Sequence, residues 1–354
     1  MQILHFVVLV ATFPLVIYRI WRLWLHPSIP GAAITAFVTS LWFWVLSDIE
    51  YIWAALPDTL QAFQLAAGTI IVPAASLHAF ALSLTTARES FLRKGIRVIT
   101  GSALLTLTVV LLISATATIP DRSPYAIGTI SNQTPLIAAT IITHAYAAAI
   151  FAHLILLGLR AADQSPAGKG MRFLTAASVF QLFPVIHGGI WTPLALHLAK
   201  PVPPSHYLLF QIAPGLAAPP LFLAAIIWPP WETRRKARRE LQLLAPLHRA
   251  LEAQFPDLGP PTPRGTRASD LVYEWTAQIQ DGLSLTAQHR NIPLDTTQPP
   301  ADDTEHAQAI INWLREESAP AISEAWLNPP PTMTGAQWVL ALAKAHLHAT
   351  TAMH

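Results

Sequence analysis

Seven stretches of this 354-residue chain are apolar for about the length a helix needs to cross a bilayer, and no other feature narrows its fold as much. The hydrocarbon layer is ~30 Å thick and a helix rises ~1.5 Å per residue, so a span takes about 20 mostly apolar residues. The stretches run approximately over 3–18, 30–47, 60–86, 98–119, 135–159, 173–199 and 207–228. Backbone polar groups in lipid must be paired internally, and no strand alternation of useful length occurs. The expected fold is therefore all-α: a seven-transmembrane-helix bundle over residues 1–231, then a small cytoplasmic helical domain over 232–354.

Charge supports that division. Only 12% of residues are charged, against roughly 25% in soluble domains. Lys and Arg divide evenly between the two parts, whereas 14 of the 20 acidic residues lie beyond residue 231. The two parts face different solvents. No basic residue precedes the first apolar run and no small-residue cleavage site follows it, so it reads as a retained span. The chain has no cysteine, which excludes disulfides, thiolate metal sites and cysteine nucleophiles.

Orientation follows from basic residues in the short loops, because positive charge resists translocation. One side carries Arg19, Arg22, Arg88, Arg93, Lys94, Arg97, Arg160, Lys169 and Arg172 together with the run after the last span, while the other carries only Arg122 and Lys200. The N-terminus is expected outside and the C-terminus in the cytoplasm, with the plasma membrane as the location. In WPPWETRRKARRE, Pro229 and Pro230 are expected to break the helix. Arg234, Arg235, Lys236, Arg238 and Arg239 would then meet lipid headgroups and fix the topology.

Beyond residue 240 the apolar positions adopt helical spacing. Leu244, Leu247, Leu251 and Phe255 share one face, as do Val272, Trp275, Ile279 and Leu283 behind an expected cap at Ser269. Ile310, Ile311, Trp313 and Leu314 form a third helix opened by Asp302, Asp303 and Glu305. A fourth begins near Thr334, where Thr334 and Gln337 fit a capping box, and carries Trp338, Leu342 and Leu347. Proline-rich linkers separate these helices. The expected core is Leu244, Leu251, Val272, Trp275, Ile279, Ile310, Trp313 and Trp338.

Polar groups inside the spans are few. Asp48 and Glu50 sit at an outer end, and no acidic residue lies near the centre of any span, which disfavours a carrier built on a buried carboxylate. Of the intramembrane histidines His78, His144, His153 and His187, the pair His144 and His153 are separated by about 900° of helical rotation and point to opposite sides. The sixth stretch, FQLFPVIHGGIWTP, places Gln181, Pro184 and His187 at three-residue intervals before two glycines. Broken helices line polar cavities in transporters. Gln181, Pro184, His187 and Gln211 are accordingly the candidate cavity, with packing kinks as the structural alternative. No catalytic, cofactor or metal residues are expected. HRNIPL, residues 289–294, differs in spacing from the phospho-acceptor box of sensor histidine kinases, and no nucleotide-binding segment follows it. Asn132, Gln133 and Thr134 form a glycosylation sequon in an outer loop.

The layout resembles an actinobacterial family of seven-span membrane proteins labelled as transporters, whose C-terminal part is a domain of unknown function. The resemblance rests on LAPLHRALEAQFPDL, residues 244–258, with Pro246 and Arg249, and on LVYEWTAQIQDGL, residues 271–283, with Asp281 and Gly282. Gln280 stands where the family pattern has a basic residue, so a salt bridge there does not carry over. Two functional classes follow: a sensory or regulatory module whose cytoplasmic domain engages a protein partner, and a small-solute transporter or channel, the activity that the resemblance implies. An enzyme is not expected. From residue 240 onward there are 6 basic and 13 acidic residues, a formal charge of −7, so nucleic acid is excluded as a partner.

Overall fold

The computed structural model describes residues 2–86, 88–119, 133–259, 266–290, 292, 298–315 and 322–351. Every regular element among them is helical, and the chain divides into two compact units, Met1–Pro229 and Pro230–His354. Six helical stretches are long and apolar enough to cross a membrane: Ile29–Ser47, Gly68–Thr85, Glu89–Ser114, Thr134–Ala161, Pro166–His197 and Pro204–Gln254. Ahead of them runs a 24-residue helix, Gln2–Leu25, with Pro14 inside it. Arg122, the sequon asparagine Asn132, the linker prolines Pro260, Pro261, Pro263 and Pro293, and half of HRNIPL lie outside the described residues.

In the first unit, α1 (Gln2–Leu25) packs on α2 (Ile29–Ser47). Ser28 caps α2 by accepting from Gly31 N–H at 3.2 Å, and Pro30 occupies the first turn, where its missing donor costs nothing. Two short helices follow, α3 (Glu50–Ala55) and α4 (Asp58–Leu65), and then α5 (Ile71–Thr85), α6 (Glu89–Ser114), α7 (Thr134–Ala161) and α8 (Pro166–Phe183). Helix α5 lies against α2, α6 and α7, and α7 also packs on α8. The shared core is built largely from small residues, Ala33, Ala74, Ala81, Ala147, Ala177 and Ala225, between Phe37, Phe80, Phe151 and Phe222.

The third apolar stretch is not one helix. It breaks after α4, where Ala67 takes a left-handed φ of 55° and a 3₁₀ turn, Gly68–Ile70, leads into α5. Pro73 supplies the reason: within a continuous helix it would cost a hydrogen bond and clash with the preceding turn, whereas after the break it sits in the first turn of α5. The buried side chain of Gln61 donates to the carbonyl of Trp53 (2.8 Å), which also accepts from Leu56 N–H, and to that of Leu56 (3.1 Å) at the end of α3.

The helix expected to end at Pro229 continues. Helix α11 (Ala213–Gln254) runs through Pro229 and Pro230. Each proline removes one backbone donor, which leaves the carbonyls of Ala225 and Ile226 without their intrahelical partners. Gly170 of α8 closes against this spot: a Cβ there would lie 3.1 Å from the Ala225 oxygen and 2.5 Å from Pro229 Cγ. The missing side chain lets backbone approach the freed carbonyl, a contact that offsets part of the loss.

The second unit has its own core. The C-terminal part of α11 contributes Leu244, Leu247 and Leu251, α12 (Ala268–His289) contributes Ile279 and Leu283, α13 (Asp303–Arg315) contributes Ile310, Ile311 and Trp313, and α14 (Gly335–Thr351) contributes Trp338, Val339 and Leu342. Of the eight expected core residues, Val272 and Trp275 are only partly buried; Leu347, read on the apolar face of the fourth helix, is exposed. The capping box forms as read: Thr334 N–H donates to Gln337 Oε1 (2.8 Å) and Gln337 N–H to Thr334 Oγ1 (3.3 Å). Ser269 does not cap α12, which starts two residues earlier than that cap implies, with Arg267 at the cap. Ser269 Oγ instead bonds Asp270 at 3.2 Å.

Candidate functional site

The sixth and seventh stretches each lose α-helical geometry over a few residues. Pro184–Trp191 forms a π-helix between α8 and α9 (Thr192–His197), and Leu208–Ile212 forms a second between α10 (Pro204–Tyr207) and α11. The two π segments pack against each other. Such segments widen the helical turn and redirect side chains, and they recur at functional sites. Pro184 starts the first one, because its ring removes a donor and displaces the ladder by one residue.

The geometry gathers polar groups at this pair. Gln211 Nε2 donates to His187 Nδ1 and to Thr192 Oγ1, both at 3.2 Å. With Nδ1 accepting, the His187 ring proton sits on Nε2. That atom is buried and has no partner among the described residues. The His187 ring stacks on Phe210 with centroids 5.2 Å apart and meets the His206 ring edge-on at 5.7 Å. Gly188 lies against Gln211, where a Cβ would stand 3.1 Å from the amide carbon. Gly189 lies under His144, where a Cβ would fall 1.9 Å from the ring. His144 Nδ1 pairs with the Thr140 carbonyl at 2.8 Å.

Next to this pair is a cavity of about 650 Å³ lined by Ile155 from α7, Val179, Leu182 and Phe183 from α8, Ile186, His187 and Trp191 from the first π segment, and His206 and Phe210. Its wall is apolar except for the two histidines. Val179, Phe183, Ile186 and Trp191 remain solvent-exposed, so it opens on an apolar flank of the unit. Of the four residues expected to line a polar cavity, His187 is in the wall, and Gln211 sits behind it as its hydrogen-bond partner. Gln181 and Pro184 are not in the wall. Ile155 and His206 escaped the sequence reading because one comes from another helix and the other lies just outside the seventh stretch, and Trp191 and Phe210 because an aromatic residue in an apolar stretch carries no signal of its own. One available signal was the position of His206, five residues before Gln211 and at the edge of the seventh stretch.

A second histidine contact joins α5 to α7, where the rings of His78 and His153 stand 4.6 Å apart, and His78 Nδ1 is buried with no partner among the described residues. Among the described residues no three His, Asp or Glu side chains converge as metal ligands. At the C-terminal end of α2, Asp48 accepts from Gln64 Nε2 at 3.3 Å.

In the second unit, Gly282 is buried against Leu251, and a Cβ there would come within 3.2 Å of the Leu251 Cβ. The glycine thus sets how closely α12 approaches α11. Pro246 is half-buried, while Arg249, Gln280 and Asp281 are exposed. Nearby, His248 Nε2 bonds Gln278 Oε1 at 2.6 Å while its ring stacks on Trp275. Arg290 pairs with the carbonyls of Trp313 and Leu314 and lies over the Trp313 ring, closing the end of α13. Arg234, Arg235, Lys236, Arg238 and Arg239 are exposed on α11, with Arg235 over the Trp231 ring and Lys236 3.7 Å from Glu240. Comparisons with protein-family models, with curated proteins and with solved structures find no match to this chain.

Proposed function

We propose that this chain is a seven-span sensory or regulatory membrane protein, with its N-terminus outside, whose membrane unit responds to a ligand and whose C-terminal unit engages a protein partner in the cytoplasm. One observation carries the reading: Gln211, His187 and Thr192 meet at the paired π segments beside an apolar cavity, whose wall contains no carboxylate among the described residues. A coupled carrier would need charged groups to bind its ion and a polar route past them. The first span is α1, and the basic cluster Arg234 to Arg239 contacts anionic headgroups. The C-terminal unit supports a partner role because Tyr273 leaves 82% of its surface exposed beside a complete core, and aromatic side chains anchor interfaces. Its acidic balance opposes nucleic-acid binding.

A transporter is the second reading, favoured by the departure of two adjacent spans from α-helical geometry. Uptake of labelled solutes into proteoliposomes separates the two. The sensor reading expects no uptake above empty vesicles, together with a single protein that co-purifies with the tagged full chain from cells and is lost with Tyr273→Asp. Saturable uptake by the full chain would instead establish the transporter. Tags within 48–58 should label from outside, and a tag after His354 should not.

A further inference from the structure

In the second unit, helices α13 and α14 pack side by side and run in the same direction. Near their starts the Thr332 hydroxyl donates to Asp303 Oδ2 at 2.9 Å, and near their ends Arg315 donates to the Ala349 carbonyl at 2.9 Å. Between them lies a groove of about 560 Å³. Its floor is small and apolar, from Ala307, Met333, Leu340, Ala341 and Ala345, and its two ends carry opposite charge. Asp303 lines the end at the helix starts, with Glu305 exposed in the same turn. Lys344 lines the other end, nine residues past Gly335 and so about 14 Å along α14. Lys344 is exposed and has no ion-pair partner among the described residues. At about 100° per residue, Leu347 lies within about 20° of Leu340 around α14, so its exposed side chain shares the groove's face.

We propose that two copies of this chain dock through this groove about a two-fold axis near Ala341, with Asp303 of each copy against Lys344 of the other. A two-fold contact sets the same patch on both sides, so the patch must complement itself. A face acidic at one end and basic at the other does so when turned end for end, which forms two equivalent ion pairs. The same two faces aligned in one direction would set acid on acid and base on base. In the antiparallel arrangement Leu340 and Leu347 of one copy form the ridge that enters the small-residue floor of the other. Copies held in one bilayer by their apolar stretches meet at high effective concentration, which lets a groove of this size mediate the contact. This docking goes beyond the sensor reading, uses helices other than the one that carries Tyr273, and holds whether the membrane unit senses or transports.

The test uses the purified full chain in phosphatidylcholine vesicles at low protein density, with a short bis-maleimide as crosslinker, since the chain has no cysteine of its own. Ala341→Cys, near the axis, should crosslink to its own copy. Thr304→Cys, at the acidic end, should not, because the antiparallel arrangement carries the two acidic ends apart. In the Ala341→Cys background, Asp303→Lys and Lys344→Glu should each lower the yield of dimer by about tenfold at low salt, and the two together should restore it. Should Asp303→Lys disturb folding by circular dichroism, Lys344→Glu, at an exposed position, still has to lower the yield by that factor. Asp303→Asn, which keeps an acceptor for Thr332, has to lower it as well. No crosslinked dimer with Ala341→Cys, equal crosslinking by Thr304→Cys, or a double charge reversal no better than either single one would each overturn the proposal.

Discussion

The membrane unit and the C-terminal unit solve the packing problem with different side chains. The shared core of the first is rich in alanine, such as Ala74, Ala81, Ala147 and Ala177; some large side chains, Leu154 and Leu174 among them, are buried there, but many others point outward, with Leu104, Leu105, Leu112, Leu159 and Leu216 all more than half exposed. The second does the reverse, burying Leu244, Leu247, Leu251, Ile279, Ile310 and Trp338 almost completely. Solvent explains the difference. In water each buried large side chain contributes about 1.5–3 kcal/mol, so a small domain gathers them. In lipid no such drive acts between helices, and small residues that let backbones approach are what hold them together.

That comparison is tested most severely in the C-terminal core. Trp338→Ala should cost about 3–5 kcal/mol, since it opens a cavity and also removes the indole bond to the Leu327 carbonyl and the contact with His306. Chemical denaturation of the full chain, followed by hydrogen exchange in α12 to α14, measures it. A loss below 1 kcal/mol, the scale of a single weak contact, would mean that this core is not the source of the unit's stability.

In the membrane unit the sensitive positions are small. Gly189→Leu should cost about 1–3 kcal/mol by overpacking, because the new side chain enters the space of the His144 ring. Unfolding in mixed micelles reads the effect, and adding His144→Ala should recover much of it. If the double variant is no better than the single one, the close approach at Gly189 is not what limits packing there. Conversely, Leu105→Ala, at a position 67% exposed, should change stability little.

Smaller effects come from the helix ends and from titration. Thr334→Ala should destabilise α14 by roughly 1 kcal/mol, with Thr334→Ser restoring most of it, as thermal unfolding would show. Burial lowers the pKa of His306, opposed by its bond to the Trp326 carbonyl and by Asp303, and burial together with Arg315 lowers that of His346. A histidine whose folded pKa lies below its unfolded value takes up a proton more readily when unfolded. The stability it contributes is therefore complete above the unfolded value of about 6.5 and is lost as pH falls below it. The C-terminal unit should accordingly weaken between pH 7.5 and 5.5, and His306→Phe should flatten that dependence. An unchanged slope in the variant would remove His306 from the account.

Much of the second unit was legible because its signals are local. Spacings of three and four residues marked the faces of Leu244, Ile279 and Ile310, and the Thr334 and Gln337 pair announced a cap that forms. Legibility failed where an alternative lay within reach: the cap of α12 moved from Ser269 to Arg267, because Ser269 bonds Asp270 instead. In the membrane unit the apolar stretches were plain, but their interruptions were not. Pro73 sits past a break at Ala67, whereas Pro229 and Pro230 sit inside a helix. A proline shows that a donor is missing and is silent on whether a neighbour such as Gly170 will cover the freed carbonyl.

The sequence by itself determined the helical class, the apolar stretches, the change of solvent near residue 230 and most of the C-terminal core, because each depends on periodicity or composition within one segment. Only the tertiary structure decided the site. His187 drew notice by its spacing to Gln181, yet what surrounds it is Gln211 and Phe210 from one π segment, Ile155 from α7 and His206 from α10. Those neighbours meet because two helices widen at the same level, and that coincidence depends on how separate segments pack, which no pattern within either segment encodes.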